Sequence, residues 1–483
     1  MMHSFIDWTG YWAVKLLALL LNRLPQSWAL ALARLGGTVV YYLHKRRRIA
    51  YMNLKAALGR HYDGRQLKRI ALKTYQNIAQ IGIEMFRFPA LDQSYLDRCI
   101  SIEGYDRIER ALEEKRGIIF LTAHFGNWEL LSVISALVGH PIKVLVREQK
   151  HFRLNDILNS FRASHGNEVI GKGMSIREIV KALRHNQIVG ILSDQSGGSE
   201  GTYISFFGRR TTTPPGAISI AKRTNCIVIP AFDIREKNGR HRVEILDPLT
   251  IPSTDDETRD VETGLRNYLS LLEHYITLYP EQWLWGHKRW KHTLDKTLLV
   301  LSDGKAGHLT QSKKILRLYE ELAADTGYSF RPVICQVEYR SRLHRKLLHV
   351  LAPLAAPFIQ GRLELLKLFL KPASAEKIIR EYADVVITCG SGTVPVGHLL
   401  RHENVAKTVS IMKPPFPYDR FKHDLMVLPQ HDRFNDAGQK TVRLRTALSL
   451  TSQEILAKEA ENVHHYIGDH DRPVIAALIG GDT

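Results

Sequence analysis

The chain has 483 residues, 44% hydrophobic and 24% charged, a length that excludes one ordinary core and a composition that excludes disorder. Its four cysteines (Cys99, Cys226, Cys335, Cys389) form no CxxC pair, which argues against a disulfide scaffold or zinc site and fits a reducing compartment. The net charge of +18 is uneven, with 14 Lys and Arg against 3 Asp and Glu in residues 1–90, so an anionic partner is expected, either nucleic acid or membrane.

Residues 11–42 are apolar but broken by Lys15, Arg23 and Arg34, so no simple spanning helix is expected. Trp8, Trp12, Trp28 and the neighbouring tyrosines instead predict an interfacial helix pair, with Lys45-Arg46-Arg47-Arg48 reading anionic lipid. The alternative is a buried helical hairpin with a solvated charge run. No groove-reading motif accompanies the basic residues, which sets nucleic acid aside.

The predicted architecture is α/β throughout the rest of the chain. Membrane-associated helices over 1–90 lead into an α/β sandwich over 91–295, then a Rossmann-like α/β domain over 296–483. In the sandwich, strands are expected at 117–122, 142–146, 188–192, 226–232 and 242–245. Helices are expected at 128–137, 152–164, 176–184, 215–223 and 258–279. The last domain is expected to hold strands at 298–301, 384–388, 424–428 and 474–479, with a helix at 311–324 and another beyond Val394.

The sharpest feature is Ile118-Ile119-Phe120-Leu121-Thr122-Ala123-His124-Phe125-Gly126-Asn127-Trp128-Glu129. An apolar strand delivers His124 at its carboxyl end, where open α/β sheets place ligand chemistry. Gly126 leaves room for close approach, and Asn127 suits a helix N-cap. A neutral histidine can take a hydroxyl's proton near pH 7, and a carboxylate on its other nitrogen fixes the tautomer. Glu129, one turn into the following helix, is the expected partner of His124. The competing reading is a histidine satisfied in a loop, with Glu129 complementing the helix dipole.

These residues resemble the lipid A biosynthesis lauroyl/myristoyl acyltransferases, within the broad HxxxxD/E acyltransferase group, over about residues 10–293. Leu24-Pro25, Arg46-Arg47-Arg48 and Asn53 also carry the likeness, as do Phe161-Arg162, Gly166, Ser193-Asp194-Gln195, Phe206-Phe207-Gly208, Thr212-Thr213 and Gly216. Pro280-Glu281-Gln282-Trp283-Leu284-Trp285 and Arg289-Trp290-Lys291 close it. The resemblance implies transfer of an acyl chain from an acyl-carrier-protein thioester to a hydroxyl of a glycolipid such as a lipid A precursor. It also implies a setting at the cytoplasmic face of a bacterial inner membrane, with no cofactor beyond the carrier-bound thioester; the histidines show no ligand spacing, so no metal is expected. His124 then matches the general base and Glu129 its partner. Arg162 matches an arginine that steadies the thioester oxyanion or an acceptor phosphate. Asp194 is either a site carboxylate or a cap or ion-pair residue. Arg147 is a candidate phosphate contact. The Trp283, Trp285, Arg289 and Trp290 cluster reads as packed aromatic core, and Phe206-Phe207-Gly208 as structural or as a wall of an acyl groove.

From residue 296 onward the chain resembles bacterial relatives of the plant mitochondrial-fission protein, regarded as glycosyltransferase-like with two Rossmann lobes. Ser302-Asp303-Gly304-Lys305-Ala306-Gly307-His308, Gln311-Ser312, Gly390-Ser391-Gly392, Pro414-Pro415, Phe421, Asp424, Pro429, His431-Asp432 and Ile479-Gly480-Gly481 carry the likeness. Asp303, Gly304, Gly307, Gly390 and Gly392 are candidates for a nucleotide or phosphate loop. Only one lobe of that fold is expected here, so an accessory domain, a bifunctional acyl and glycosyl transferase and a non-catalytic scaffold all stand as readings.

Overall fold

The computed structural model describes residues 2–146, 152–171, 175–430, 432, 434, 440–449 and 457. Four helices open the chain: α1 (Met2–Arg23), α2 (Gln26–Leu43), α3 (Arg47–Leu58) and α4 (Gly64–Met85). An α/β unit follows with α5 (Gln93–Cys99), β1 (Ile100–Glu103), α6 (Asp106–Glu113), β2 (Ile118–Thr122), α7 (Leu130–Leu137), β3 (Ile142–Val146), α8 (Phe152–Arg162), β4 (Glu168–Gly171), α9 (Ser175–Arg184) and β5 (Ile188–Leu192). It continues through β6 (Thr202–Phe206), β7 (Arg209–Thr213), α10 (Gly216–Thr224), β8 (Ile227–Arg235), β9 (His241–Ile245) and α11 (Glu257–Leu278).

The central sheet has seven strands in the order β1-β9-β8-β2-β5-β3-β4. All neighbours are parallel except β8 and β9, which pair antiparallel. Parallel sheets need both faces covered, and β2 is buried at every position. One face packs Ile119 and Leu121 with Tyr51, Leu54, Tyr268 and Trp283; the other packs Ile118 and Phe120 with Ile108, Val133 and Ile134.

The second unit holds β10 (Asp295–Ser302), α12 (Ala306–Thr326), β11 (Ser329–Gln336), α13 (Arg342–Ala355), α14 (Pro372–Arg380), β12 (Val385–Cys389), α15 (Val394–Asn404), β13 (Lys407–Ile411), β14 (Leu425–Pro429) and β15 (Thr441–Leu444). Its sheet is parallel, in the order β11-β10-β12-β13-β14-β15, as expected of a Rossmann-like domain. The expected strand at 474–479, and the matches at His431 and Ile479-Gly480-Gly481, lie outside the described residues.

The expectation of N-terminal membrane-associated helices is corrected. Among the described residues no helix is long and apolar enough to cross a membrane. Lys15 and Arg23 interrupt α1, Pro25 separates it from α2, and Arg34 interrupts α2. The structure uses α2 as a packing helix: its Ala29, Leu30, Ala33, Gly37 and Tyr41 are buried. Gly37 is required there, because a Cβ would stand 2.6 Å from the Tyr75 carbonyl oxygen of α4. The basic run that follows is partly engaged within the protein. Arg47 lies over the Tyr41 and Tyr42 rings, and Arg48 Nη2 reaches His402 Nδ1 of the second unit at 3.3 Å.

The two units meet through buried charge. Glu403 of α15 faces Lys55 Nζ at 3.3 Å, accepts the Tyr51 hydroxyl at 2.5 Å and accepts the Gly361 N–H at 3.0 Å. Arg209 Nη2 donates to both Asp384 oxygens at 2.9 Å, and its guanidinium lies over the Tyr382 ring. A cavity of about 1080 Å³ runs between the units beside these contacts.

Candidate active site

The register of the sheet builds the site. Thr122 of β2 pairs with Leu192 of β5. His124 and Asp194 each stand two residues beyond, at the same carboxyl edge. His124 Nδ1 lies 2.7 Å from Asp194 Oδ1. Asp194 is fully buried, and its other oxygen accepts the Trp283 indole N–H at 2.8 Å. Burial disfavours the imidazolium, but the Asp194 charge and hydrogen bond outweigh it and raise the His124 pKa above its ordinary value. The same pairing holds the Asp194 carboxyl well below the usual carboxylate range, against the opposing effect of its burial. With Nδ1 engaged, His124 Nε2 is the nitrogen left for chemistry, and Gln195 Nε2 stands 3.3 Å from it.

Asp194, not Glu129, is the hydrogen-bond partner of His124, although the Glu129 charge adds to the rise in the ring's pKa. The segment 124–129 is a turn, and α7 begins only at Leu130. Asn127 Oδ1 does accept the Leu130 N–H at 3.1 Å, as a capping side chain would. Glu129 instead takes a forked pair from Arg162, Nε and Nη2 each at 2.7 Å. Burial works against the Arg162 charge, and the Glu129 contacts outweigh it and raise its pKa. Arg162 Nη1 reaches Asn159. Its fork is thus spent on Glu129, where sequence reasoning expected it to face an oxyanion or phosphate. Arg147 lies outside the described residues.

His124, Trp128, Glu129 and Arg162 share the lining of one cavity of about 240 Å³. Behind them its wall is apolar: Phe120, Ile134, Val138, Val144, Ala231 and Ile245 line it. A slot lined in this way has the chemistry of a hydrocarbon-binding site, with the His124 ring at its lining.

A buried charge network fixes the turn from beneath. Asp233 Oδ2 accepts the Asn127 N–H at 2.6 Å, and Glu84 Oε2 accepts the Asn127 side-chain amide at 2.6 Å. Arg235 forks onto Glu84 at 2.5 and 2.6 Å, and His241 Nδ1 stands 2.9 Å from Asp233. Gly126 has φ +58°, and a Cβ would meet the Asp233 carbonyl oxygen at 1.7 Å. This position therefore admits only glycine. The 282–285 segment clamps the other side, with Gly126 N–H donating to Gln282 O and Leu284 N–H to His124 O.

The aromatic cluster is core, as read, but one member belongs to the site: Trp283 positions Asp194. His287 also lies at this carboxylate's edge, its ring 5.1 Å from Trp283, with burial pushing its pKa down to about 4. Arg289 is buried and donates to Thr212 O and Thr213 Oγ1. Phe206 packs on Trp283 and Trp290, away from the cavity. Of the sequence signals, the Ser193-Asp194-Gln195 triplet closing a strand was the one that pointed to the partner of His124. Nothing local marked Glu84, Asp233, Arg235 or His241, which come from three separate elements.

In the second unit, β11 and β12 flank β10 on opposite sides, so the sheet reverses its order between β10 and β12. The loops after those two strands meet there, the position where doubly wound sheets bind ligands. Asp303 carboxylate oxygens lie 3.0 Å from His308 Nδ1. Gly304 and Gly390 have φ +85° and +81°, and a Cβ on Gly390 would stand 2.4 Å from the His308 ring. Gly392 O accepts the Tyr339 hydroxyl, and Ser391 accepts from Arg345. Gly307 sits in the first turn of α12 with open space around its Cα.

Comparison with known proteins agrees with this geometry. Residues 2–292 match the family model for bacterial lipid A biosynthesis acyltransferase, and residues 277–483 match the model for mitochondrial fission ELM1. The chain is 22% identical over 280 residues to a lipid A biosynthesis acyltransferase of Haemophilus influenzae, covering 58% of this chain and 85% of the relative. It is 24% identical over 261 residues to the lipid A biosynthesis palmitoleoyltransferase of Escherichia coli, covering 53% and 83%. It is 24% identical over 229 residues to a phosphatidylinositol mannoside acyltransferase of Mycolicibacterium smegmatis, covering 46% and 72%. With the matched region spanning more than half of its length and containing the whole His124 site, the chain belongs to the bacterial lipid A biosynthesis acyltransferase family and is an acyltransferase, joined to a second domain that resembles the fission-protein family.

Proposed function

We propose that this enzyme moves a fatty acyl chain from an acyl-carrier-protein thioester to a hydroxyl of a glycolipid of the lipid A precursor type, at the cytoplasmic face of a bacterial inner membrane. The observation that carries the reading is the His124–Asp194 pair opening onto an apolar slot. The acyl chain lies in the slot with its thioester carbonyl at His124. His124 Nε2 takes the proton of the acceptor hydroxyl as its oxygen attacks that carbonyl. Asp194 stabilises the imidazolium formed. The tetrahedral intermediate collapses by breaking the C–S bond, and the imidazolium returns the proton to the departing thiolate. No serine or cysteine nucleophile is needed, and no cofactor beyond the thioester.

The relatives' names, lipid A biosynthesis acyltransferases and a phosphatidylinositol mannoside acyltransferase, support a glycolipid acceptor. The net charge of +18 favours an anionic carrier protein and an anionic membrane surface as partners. Four free cysteines suit the reducing side of that membrane. The test is transfer by the purified full chain from radiolabelled acyl-carrier protein to a lipid A precursor in mixed micelles. The expected result is product formation that falls by at least about 10²-fold in His124→Ala. Equal rates for the variant would remove His124 as the base, and no transfer from any carrier-bound acyl chain would remove the donor.

A glycosyl-transfer reading of the second unit has one observation in its favour, the meeting of the Asp303–His308 and Gly390–Gly392 loops at the reversal point of the sheet. Titration of the full chain with sugar nucleotides tests it, and binding lost in Gly390→Val is the expected outcome of that reading.

A further inference from the structure

Helix α13 is apolar on two sides. Leu348 and Ala352 turn inward to the core of the second unit. Leu343, Leu347, Val350 and Leu354 follow one another at helical spacing on a different face, and that row is exposed, Val350 by 64% and Leu354 by 70%. Phe358 and Leu368 extend the exposed patch beyond the helix, over an apolar groove of about 400 Å³. A soluble surface seldom carries so many contiguous large apolar side chains without a partner.

The charges around this patch indicate what the partner is. Residues 342–371 hold six lysines and arginines against a single glutamate, and α13 itself has no acidic residue. That glutamate, Glu364, is already paired with Lys367. Arg342 and Lys346 flank the exposed row on the same helix, and among the described residues no salt bridge to either is found. An apolar row edged by cations fits the interface of an anionic bilayer. The leucines reach the acyl boundary, and the long basic side chains lie along it with their heads among the phosphates.

We infer that the outer face of α13, with the adjoining 356–371 segment, is a docking surface for an anionic lipid membrane. It lies in the second unit and is independent of how His124 works. The test is co-sedimentation of the full chain with vesicles of phosphatidylethanolamine and phosphatidylglycerol, and with vesicles of phosphatidylcholine alone. Leu347→Glu/Leu354→Glu and Arg342→Glu/Lys346→Glu are compared with wild type, all checked for an unchanged melting curve. Both pairs replace exposed side chains. Each is expected to weaken partitioning onto the anionic vesicles at least ten-fold, and wild type is expected to prefer anionic over neutral vesicles. Equal partitioning of wild type and both variants would overturn the inference. So would unchanged vesicle binding accompanied by loss of a dimer in sedimentation velocity, which would assign the face to a second copy of the chain.

Discussion

Burial and a neighbouring carboxylate act on the His124 imidazole in opposite directions, and the carboxylate prevails. A base must be neutral to accept a proton, so the acid limb of the kcat/KM profile is expected above the ordinary histidine value of about 6.5. Asp194→Asn removes the charge that raises this pKa while keeping the shape of the side chain. Its acid limb is expected to move to lower pH, and kcat to fall by about 10²–10⁴-fold as the tautomer and the imidazolium lose support. A pH–rate profile of the variant reads both effects, and an unmoved limb would show that Asp194 does not govern His124. His124 itself was legible in the sequence because the apolar run Ile118-Ile119-Phe120-Leu121 announces its strand. Its partner was misassigned to Glu129, because spacing along the chain is a poor guide across a turn. The 124–129 segment does not form helix, and the neighbouring strand supplies the nearer carboxylate.

Three elements, α4, β8 and β9, contribute Glu84, Asp233, Arg235 and His241 to one buried network under the 124–129 turn. Burial opposes the His241 charge, but Asp233 and Glu84 outweigh it and raise its pKa to about 9. A folded-state pKa above the unfolded value of about 6.5 stabilises the protein fully below pH 6.5. That contribution is lost as pH rises through about 9 and amounts to about 3 kcal/mol at most. Urea unfolding between pH 6 and pH 10 is expected to show the decline, and His241→Gln to flatten it. Glu84→Gln leaves the Arg235 charge buried without its partner, for an expected loss of about 3–5 kcal/mol in the same assay. An unchanged unfolding midpoint would contradict that role. The expected helices at 152–164, 176–184, 215–223 and 258–279 match α8, α9, α10 and α11 to within two residues, because apolar periodicity marks them. Several of the strands that escaped notice lack that signal. The edge strand β1 is four residues long with alternating burial. The edge strand β11 contains Pro332 and is largely exposed. The β6–β7 hairpin closes on Phe207 and Gly208, both at positive φ, where no Asn-Gly or Asp-Gly pair advertised the turn.

Across the whole molecule, α3 links the two units. Its Asn53 amide donates to the Trp285 and His287 carbonyls beside the acyltransferase site, while Tyr51 and Lys55 hold Glu403 of the second unit. The core of strand β10 was visible in the sequence, but the buried interface was not, because the Lys55–Glu403 and Arg209–Asp384 pairs each join residues more than a hundred positions apart. Arg209→Ala together with Glu403→Ala is expected to split thermal unfolding into two calorimetric transitions, one per unit, where wild type shows a single coupled transition. A variant that still unfolds in one transition would mean that the cores, and not these charges, join the units. The central claim is that His124 drives acylation of a glycolipid. Its most direct test is lipid mass spectrometry on a strain lacking this gene, complemented with wild type or with His124→Ala at matched protein level. The account expects wild type to restore a glycolipid heavier by one acyl chain and His124→Ala to leave it absent. Equal restoration by both would contradict it.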